Sequence, residues 1–155
     1  MQSYCFDTSS WVEAWTRSYP RDVFPSFWAL LEPLIEGQAI VCPEDVVGEL
    51  ANKDDGLHRW AKSRSGLVYP MDSEQWEKSR EIGRVFPKFL KEGSSKNRGD
   101  TWVIALARVT GRCVVTEEVP SEAPHKVLKI PDICDHYGVR WINLLTFMRE
   151  QKWTI

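Results

Sequence analysis

Nowhere in this chain of 155 residues does an apolar run approach the ~20 residues that a membrane-spanning helix needs. The opening MQSYCFDTSSW has no basic n-region and no apolar h-region, so no secretory signal is expected and the chain reads as cytoplasmic. Cysteine is sparse: Cys5, Cys42, Cys113 and Cys134 are far apart and form no C-x-x-C pair. With Cys5, Cys42 and Cys113 in or beside apolar runs, they are expected as small buried hydrophobes. His58, His125 and His136 have no partner at zinc-ligand spacing. Charge of one sign is also lacking, since 20 Lys and Arg stand against 22 Asp and Glu for a net charge of -2. That balance argues against a surface that holds nucleic acid by bulk charge. It leaves open an acidic centre whose charge cancels a basic rim in the total. Neither G-x-x-x-x-G-K-[ST] nor G-x-G-x-x-G occurs, so nucleotide-cofactor folds have no support.

What is present is ordinary globular material, 43% hydrophobic and 27% charged, enough for one domain over residues 1–155. Short apolar runs alternate with helical ones. Strands are expected at 3–6, 39–42, 67–69, 113–116 and 139–143. Helical spacing appears at 10–18, 25–36, after Pro43, at 55–64, 73–91, 100–111, from Pro131 to Gly138 and at 144–151. Asp72 and Gln75 stand at capping-box spacing, Gly111 stops the helix from Asp100, and 92–99 reads as a polar loop. Continuously apolar strands separated by helices predict a parallel sheet of about five strands inside a three-layer α/β/α domain. Right-handed crossovers then put every strand C-terminus on one edge, where such sheets bind ligands.

The acids fall at that edge. Asp7 follows the first strand directly, ahead of Thr8, Ser9 and Ser10. It could equally cap the helix at 10–18, a task open to Ser9 or Ser10 as well. Glu49 borders the apolar stripe Val46, Val47, Leu50 of the helix after the second strand. Asp100 opens the most apolar helix, where the helix dipole alone would favour a carboxylate. Glu117 and Glu118 follow the fourth strand. Two unit charges ~4 Å apart repel by about 4 kcal/mol at an effective dielectric near 20, so such a cluster needs compensation. Oxygen-only ligation suits Mg²⁺ or Mn²⁺, which activate water and neutralise charge on a phosphate. A haloacid-dehalogenase-type phosphatase would want an acid where Ser9 stands. A receiver domain would want one where Tyr69-Pro70 stands.

The ordered set of an apolar strand with DTSS, then VVGEL, GDTWVIALA and CVVTEE resembles the PIN domain, and more closely a bacterial subfamily of PIN-like proteins of about this length. The likeness runs nearly end to end, including YPRDVFPSFWALLE and KIPDICDHYGVRWINLLTFM. It implies a metal-dependent endoribonuclease, with Asp7, Glu49, Asp100 and Glu118 as catalytic acids that hold Mg²⁺ or Mn²⁺. The family commonly carries Asp or Asn at the fourth position. Here Thr116 ends the strand and Glu118 stands two residues on, with Glu117 between them, so both remain candidates. Thr8 and Ser9 would orient the first acid, and Asp132 would contribute late to the same edge. Many such proteins are toxins restrained by a co-expressed antitoxin, and many form homodimers, so RNA, an antitoxin and a second copy are the implied partners.

An acidic centre repels RNA, and cations must bring the phosphates in. Lys96 and Arg98 lead into Asp100 between Gly93 and Gly99, and Lys126 and Lys129 precede Asp132. Two other readings stand beside the nuclease: a PIN-like scaffold that binds RNA or protein without cutting, and a structural subunit whose eight tryptophans serve an interface. Tryptophans at helical spacing are more readily explained as core.

Overall fold

The computed structural model describes residues 1–91, 98–122 and 128–155. Its sheet is parallel throughout, in the order β2-β1-β3-β4, from β1 (Tyr4–Phe6), β2 (Ile40–Val41), β3 (Cys113–Val115) and β4 (Trp141–Ile142). Tyr4 pairs with Ile40 on one side and Cys113 on the other, and Val114 pairs with Trp141. Every residue of β1, β2 and β3 is buried. Helices cover both faces, which is why these strands read as unbroken apolar runs.

Four strands, rather than the expected five, make up the sheet among the described residues. The segment at 67–69 reaches its outer edge but contributes a single bridge, Cys42 to Val68. Cys42 N–H donates to Leu67 O at 2.9 Å, and Cys42 O accepts from Tyr69 N–H at 3.0 Å. Pro43 and Pro70 follow at once on the two sides, and neither has an N–H to continue a ladder.

Between the strands run α1 (Thr8–Glu13), extended by a π-helical turn at Ala14–Ser18, and α2 (Pro25–Glu36). Then come α3 (Glu44–Leu50), α4 (Asp55–Lys62), α5 (Ser73–Val85) and α6 (Pro87–Lys91). The chain closes with α7 (Arg98–Thr110), α8 (Ile130–Tyr137) and α9 (Leu144–Glu150). The stretch 73–91, expected as one helix, breaks at Phe86 (φ -125, ψ 66). The ring of Pro87 disfavours the α conformation for the residue before it. Asp72 caps α5 by accepting from Gln75 N–H at 2.8 Å, but the Gln75 amide donates to Pro70 O instead of reciprocating, so only half a capping box forms. Gly111 ends α7 with φ 70, a left-handed turn that glycine adopts without strain.

Six tryptophans belong to the interior, Trp141 at its β4 edge among them. Trp11, Trp28 and Trp60 are buried, with Trp15 and Trp153 packed against the same core. Trp28 and Trp60 meet edge to face at 4.8 Å, and Trp15 meets Trp28 likewise at 5.1 Å. Such pairs are worth about 1 kcal/mol beyond their buried area. All four cysteines are buried free thiols. Among the described residues no helix is long and apolar enough to cross a membrane.

Strand order fixes where a site can form. From β1 the chain goes to β2 on one side, then crosses to β3 on the other. The order therefore reverses between β1 and β3, and ligands of open parallel sheets bind in the crevice beyond such a point. Asp7 follows β1 directly, and Thr116 follows β3.

Candidate active site

Asp7 is 1% exposed and sits where β1 turns into α1. It is the N-cap of α1: its Oδ1 accepts from Ser10 N–H at 3.0 Å. The capping role and a role at the sheet edge thus coincide in one side chain. Ser9 Oγ donates to both carboxylate oxygens, at 2.7 and 2.9 Å, and Thr116 Oγ1 donates to Oδ2 at 2.8 Å. The Ser10 hydroxyl also lies 3.2 Å from Oδ1, but its single proton has a closer acceptor in Val115 O at 2.8 Å.

Behind those hydroxyls stands the backbone after β3. Glu117 N–H donates to Ser9 Oγ at 3.0 Å, and Glu118 N–H donates to Thr116 Oγ1 at 3.1 Å. Two amide dipoles therefore polarise the two hydroxyls that grip Asp7, a chain in which each bond strengthens the next. Its donors are uncharged. Burial pushes the Asp7 carboxyl up to about 7, and the nearby Glu118 charge pushes the same way against the pull of Ser9, Thr116 and Ser10.

Asp100 faces the same space from the first turn of α7, 8% exposed. Burial raises it to about 8, helped by the charges of Glu118, Asp7 and Glu49 and opposed by Lys129. Each of these groups is therefore close enough to act on Asp100. Glu49 projects from α3, and its Oε2 accepts from Thr8 Oγ1 at 2.7 Å. Asp7, Thr8, Ser9, Glu49, Asp100, Glu117 and Glu118 all line one open cavity of about 460 Å³. The four matched acids and both expected hydroxyl residues thus come together, although Thr8 holds Glu49 where Asp7 had been expected.

The two glutamates after β3 differ in their engagements. Glu117 Oε1 accepts from Leu144 N–H at 2.7 Å, at the start of α9. Glu118 Oε1 accepts from Ile130 N–H at 3.0 Å, at the start of α8, while its charge acts on both Asp7 and Asp100. Electrostatic reach therefore favours Glu118 as the fourth acid. Asp132 is not among the residues lining the cavity. Its carboxylate accepts from Ser121 N–H and Lys129 N–H, tying the loop after β3 to the start of α8.

Of the expected cations, Lys129 is exposed and its charge reaches Asp100. Lys96 and Lys126 lie outside the described residues, and Arg98 is placed only as the first residue of α7. Reading the sequence missed Arg17 and Lys53, which line the cavity beside the acids. Lys53 lies four residues after Glu49, a spacing that keeps neighbours on one helical face and could have found it. Arg17 sits 3.5 Å from Glu13 on the π-helical turn, which no simple periodicity indicates. Thr116 was missed as a partner of Asp7 because that contact depends on β1 and β3 being neighbours.

The donor set is made of oxygen, with two buried carboxylates whose ionisation is opposed by their surroundings. That is the chemistry of a hard divalent cation, whose charge offsets what burial and repulsion impose. Among the described residues no three His, Cys, Asp or Glu side chains are already gathered closely enough to hold a metal ion. Ligation would require Glu49 and Glu118, on flexible stems, to close on the fixed aspartates.

Residues 4–155 match one protein family, described as a domain of unknown function (DUF4411). A search of curated proteins returns no match.

Proposed function

We propose that this chain, which belongs to the DUF4411 family, is a Mg²⁺- or Mn²⁺-dependent endoribonuclease with a PIN-like site. The observation that carries the reading is the pair Asp7 and Asp100, both buried against one cavity and raised to about 7 and about 8 by burial and by the surrounding acids. Structural carboxylates rarely sit buried beside like charges, whereas catalytic sites commonly hold them so. Asp7 and Asp100 would hold the main cation, and Glu49 and Glu118 would hold a second one or position the attacking water. When bound, the metal supplies an acidic water and positive charge for the phosphate.

The remaining work falls to the chain. Ser9 and Thr116 fix the Asp7 carboxylate, so it spends no rotamer freedom on binding, while Thr8 keeps Glu49 at the cavity, from where it would close on the aspartates. Arg17, Lys53 and Lys129 bring positive charge to the cavity or its border, where it opposes repulsion between the acids and an incoming phosphodiester. Hydrolysis adds the water oxygen to phosphorus and releases one ribose oxygen, with a nearby carboxylate taking the water proton.

A non-cutting RNA-binding scaffold is the second reading, and the buried acids speak against it, because a scaffold gains nothing from their electrostatic cost. Restraint by an antitoxin, with the chain as a toxin, belongs to the same proposal and would be tested by growth arrest on expression and rescue by the product of a neighbouring small gene. The enzymatic reading is tested with a mixed RNA pool, Mn²⁺ and a chelator control. Cleavage should need the metal and vanish in Asp7→Asn while circular dichroism stays unchanged. An Asp7→Asn protein that still cuts would end the reading.

A further inference from the structure

A second feature lies across α7 from the acids. Thr101 and Trp102, immediately after Asp100, line a shallow groove of about 360 Å³ with Trp76, Ser79, Arg80, Gly83 and Arg84 of α5. Trp76 is 51% exposed, and its ring lies 5.7 Å from that of Trp102 at an interplanar angle of 33°. The other tryptophans of α1, α2 and α4 build the core, whereas Trp76 is exposed and Trp102 half-buried beneath it, so core packing does not account for the Trp76 ring. Ser79, Gly83 and Thr101, all small, share the groove with the two rings, and Trp76 itself stays exposed.

Charge decides among occupants. Trp76, Arg80 and Arg84 recur at every fourth position of α5, so one helical stripe presents an aromatic face followed by two cations. Both arginines are exposed, and neither belongs to the ion pairs formed among the described residues. Of the three acids on this helix, Glu81 is committed to Arg108 at 2.8 Å, which leaves Glu74 and Glu77, the latter sharing a pocket with both arginines, against Lys78, Arg80 and Arg84. An aromatic face flanked by cations suits a ligand with flat rings joined by anionic linkers, which is single-stranded nucleic acid.

We propose that Trp76, backed by Trp102, is a stacking platform for an unpaired base of RNA, with Arg80 and Arg84 on the adjoining phosphates. Insertion of a base between the two rings would need them about 7 Å apart, twice the usual contact distance, so the base stacks on the outer face of Trp76. Position links the platform to the acids. Asp100 and Trp102 are two residues apart on α7, which puts them on roughly opposite sides of a helix about 10 Å across. A strand crossing the start of α7 would reach from one to the other in about three stacked nucleotides. The platform thereby selects unpaired RNA for the cavity, an inference that rests on the ribonuclease reading for its direction of travel.

Binding in chelator separates the two ideas, since no cleavage is needed. Labelled single-stranded oligoadenylate is titrated against wild type, Trp76→Ala and Trp76→Phe, followed by anisotropy, with an abasic strand of equal length as the control. The expected result is binding weakened on the order of tenfold by Trp76→Ala, largely restored by Trp76→Phe, and a response to neither change with the abasic strand. Equal affinities of wild type and Trp76→Ala for oligoadenylate would overturn the platform, whether or not the protein cuts RNA. So would a Trp76→Ala protein that binds RNA normally but loses self-association in sedimentation, which would make the groove a protein interface. Platform-dependent binding in a protein that never cuts would overturn the nuclease alone.

Discussion

Replacing Asp7 by asparagine removes a charge from a place that burial makes hostile to it, and the effect on stability has a definite sign. The carboxyl rises from 3.8 to about 7 in the fold. Between those values the folded protein keeps a proton that the unfolded chain has released, so stability falls as pH climbs toward 7. At about 1.4 kcal/mol for each tenfold change, the wild type loses roughly 3 kcal/mol through this group between about pH 5 and pH 8.5. Asparagine has no such loss. It keeps an acceptor for Ser10 N–H or the Thr116 hydroxyl, and gives up about 1 kcal/mol where its amide cannot accept from both Ser9 and Thr116. Losing the Asp7 charge also relieves Asp100, which it helps to raise, so coupling widens the gap in the same direction. In chelator, Asp7→Asn should therefore be near or slightly below wild type at about pH 5, and above it at pH 8.5 by about 2 kcal/mol, a melting difference of about 6 °C. Urea titrations of both proteins across this range, followed by circular dichroism, measure it directly. A stability difference that does not change with pH would refute the claim that these carboxylates are forced toward their neutral forms.

Three further outcomes follow from the same geometry. Millimolar Mn²⁺ should raise the melting temperature, more at pH 8 than at pH 6 because the metal must displace protons, and Asp100→Asn should remove the rise; equal melting in metal and chelator would count against the metal site. Thr116→Val deletes a donor that lowers Asp7, so the acidic limb of the cleavage–pH profile should move upward, and an unmoved limb would detach Thr116 from the chemistry. Lys129→Ala should reduce the log–log salt slope of RNA binding by about one if Lys129 meets a phosphate, whereas an unchanged slope would return it to the ordinary surface.

What the sequence made legible was whatever depends on neighbours along the chain. Asp7 after an apolar run, Asp100 at the head of an apolar helix and two glutamates behind CVVT could each be assigned to the sheet edge, because strand and helix periods are local. The residues that escaped are those whose role is set by strand order. Thr116 grips Asp7 from 109 positions away, and does so only because β1 and β3 are adjacent. Expecting a parallel sheet does not say which strands touch. Arg17 enters the cavity from a π-helical turn, a local irregularity that an ideal helical wheel misplaces. The strand expected at 67–69 failed for the opposite reason: its apolar pattern was right, but two prolines limit its pairing to one bridge.

The same adjacency explains why this site belongs at the switch point and nowhere else on the sheet. Hydroxyls from the start of α1, just beyond β1, and from just beyond β3 converge on one carboxylate, and backbone amides that follow β3 converge on those hydroxyls. Both strands must stop at the same level for that to happen, which the register Phe6 to Val115 provides. A shift of one residue in that register would carry Thr116 about 3 Å along the strand and turn its side chain to the other face of the sheet. Asp7 would then lose its Thr116 donor while staying buried, leaving its ionisation still harder to sustain. Precise strand pairing and the grip on Asp7 are therefore one requirement: the buried core that fixes the register of β1 against β3 also sets how Asp7 is held.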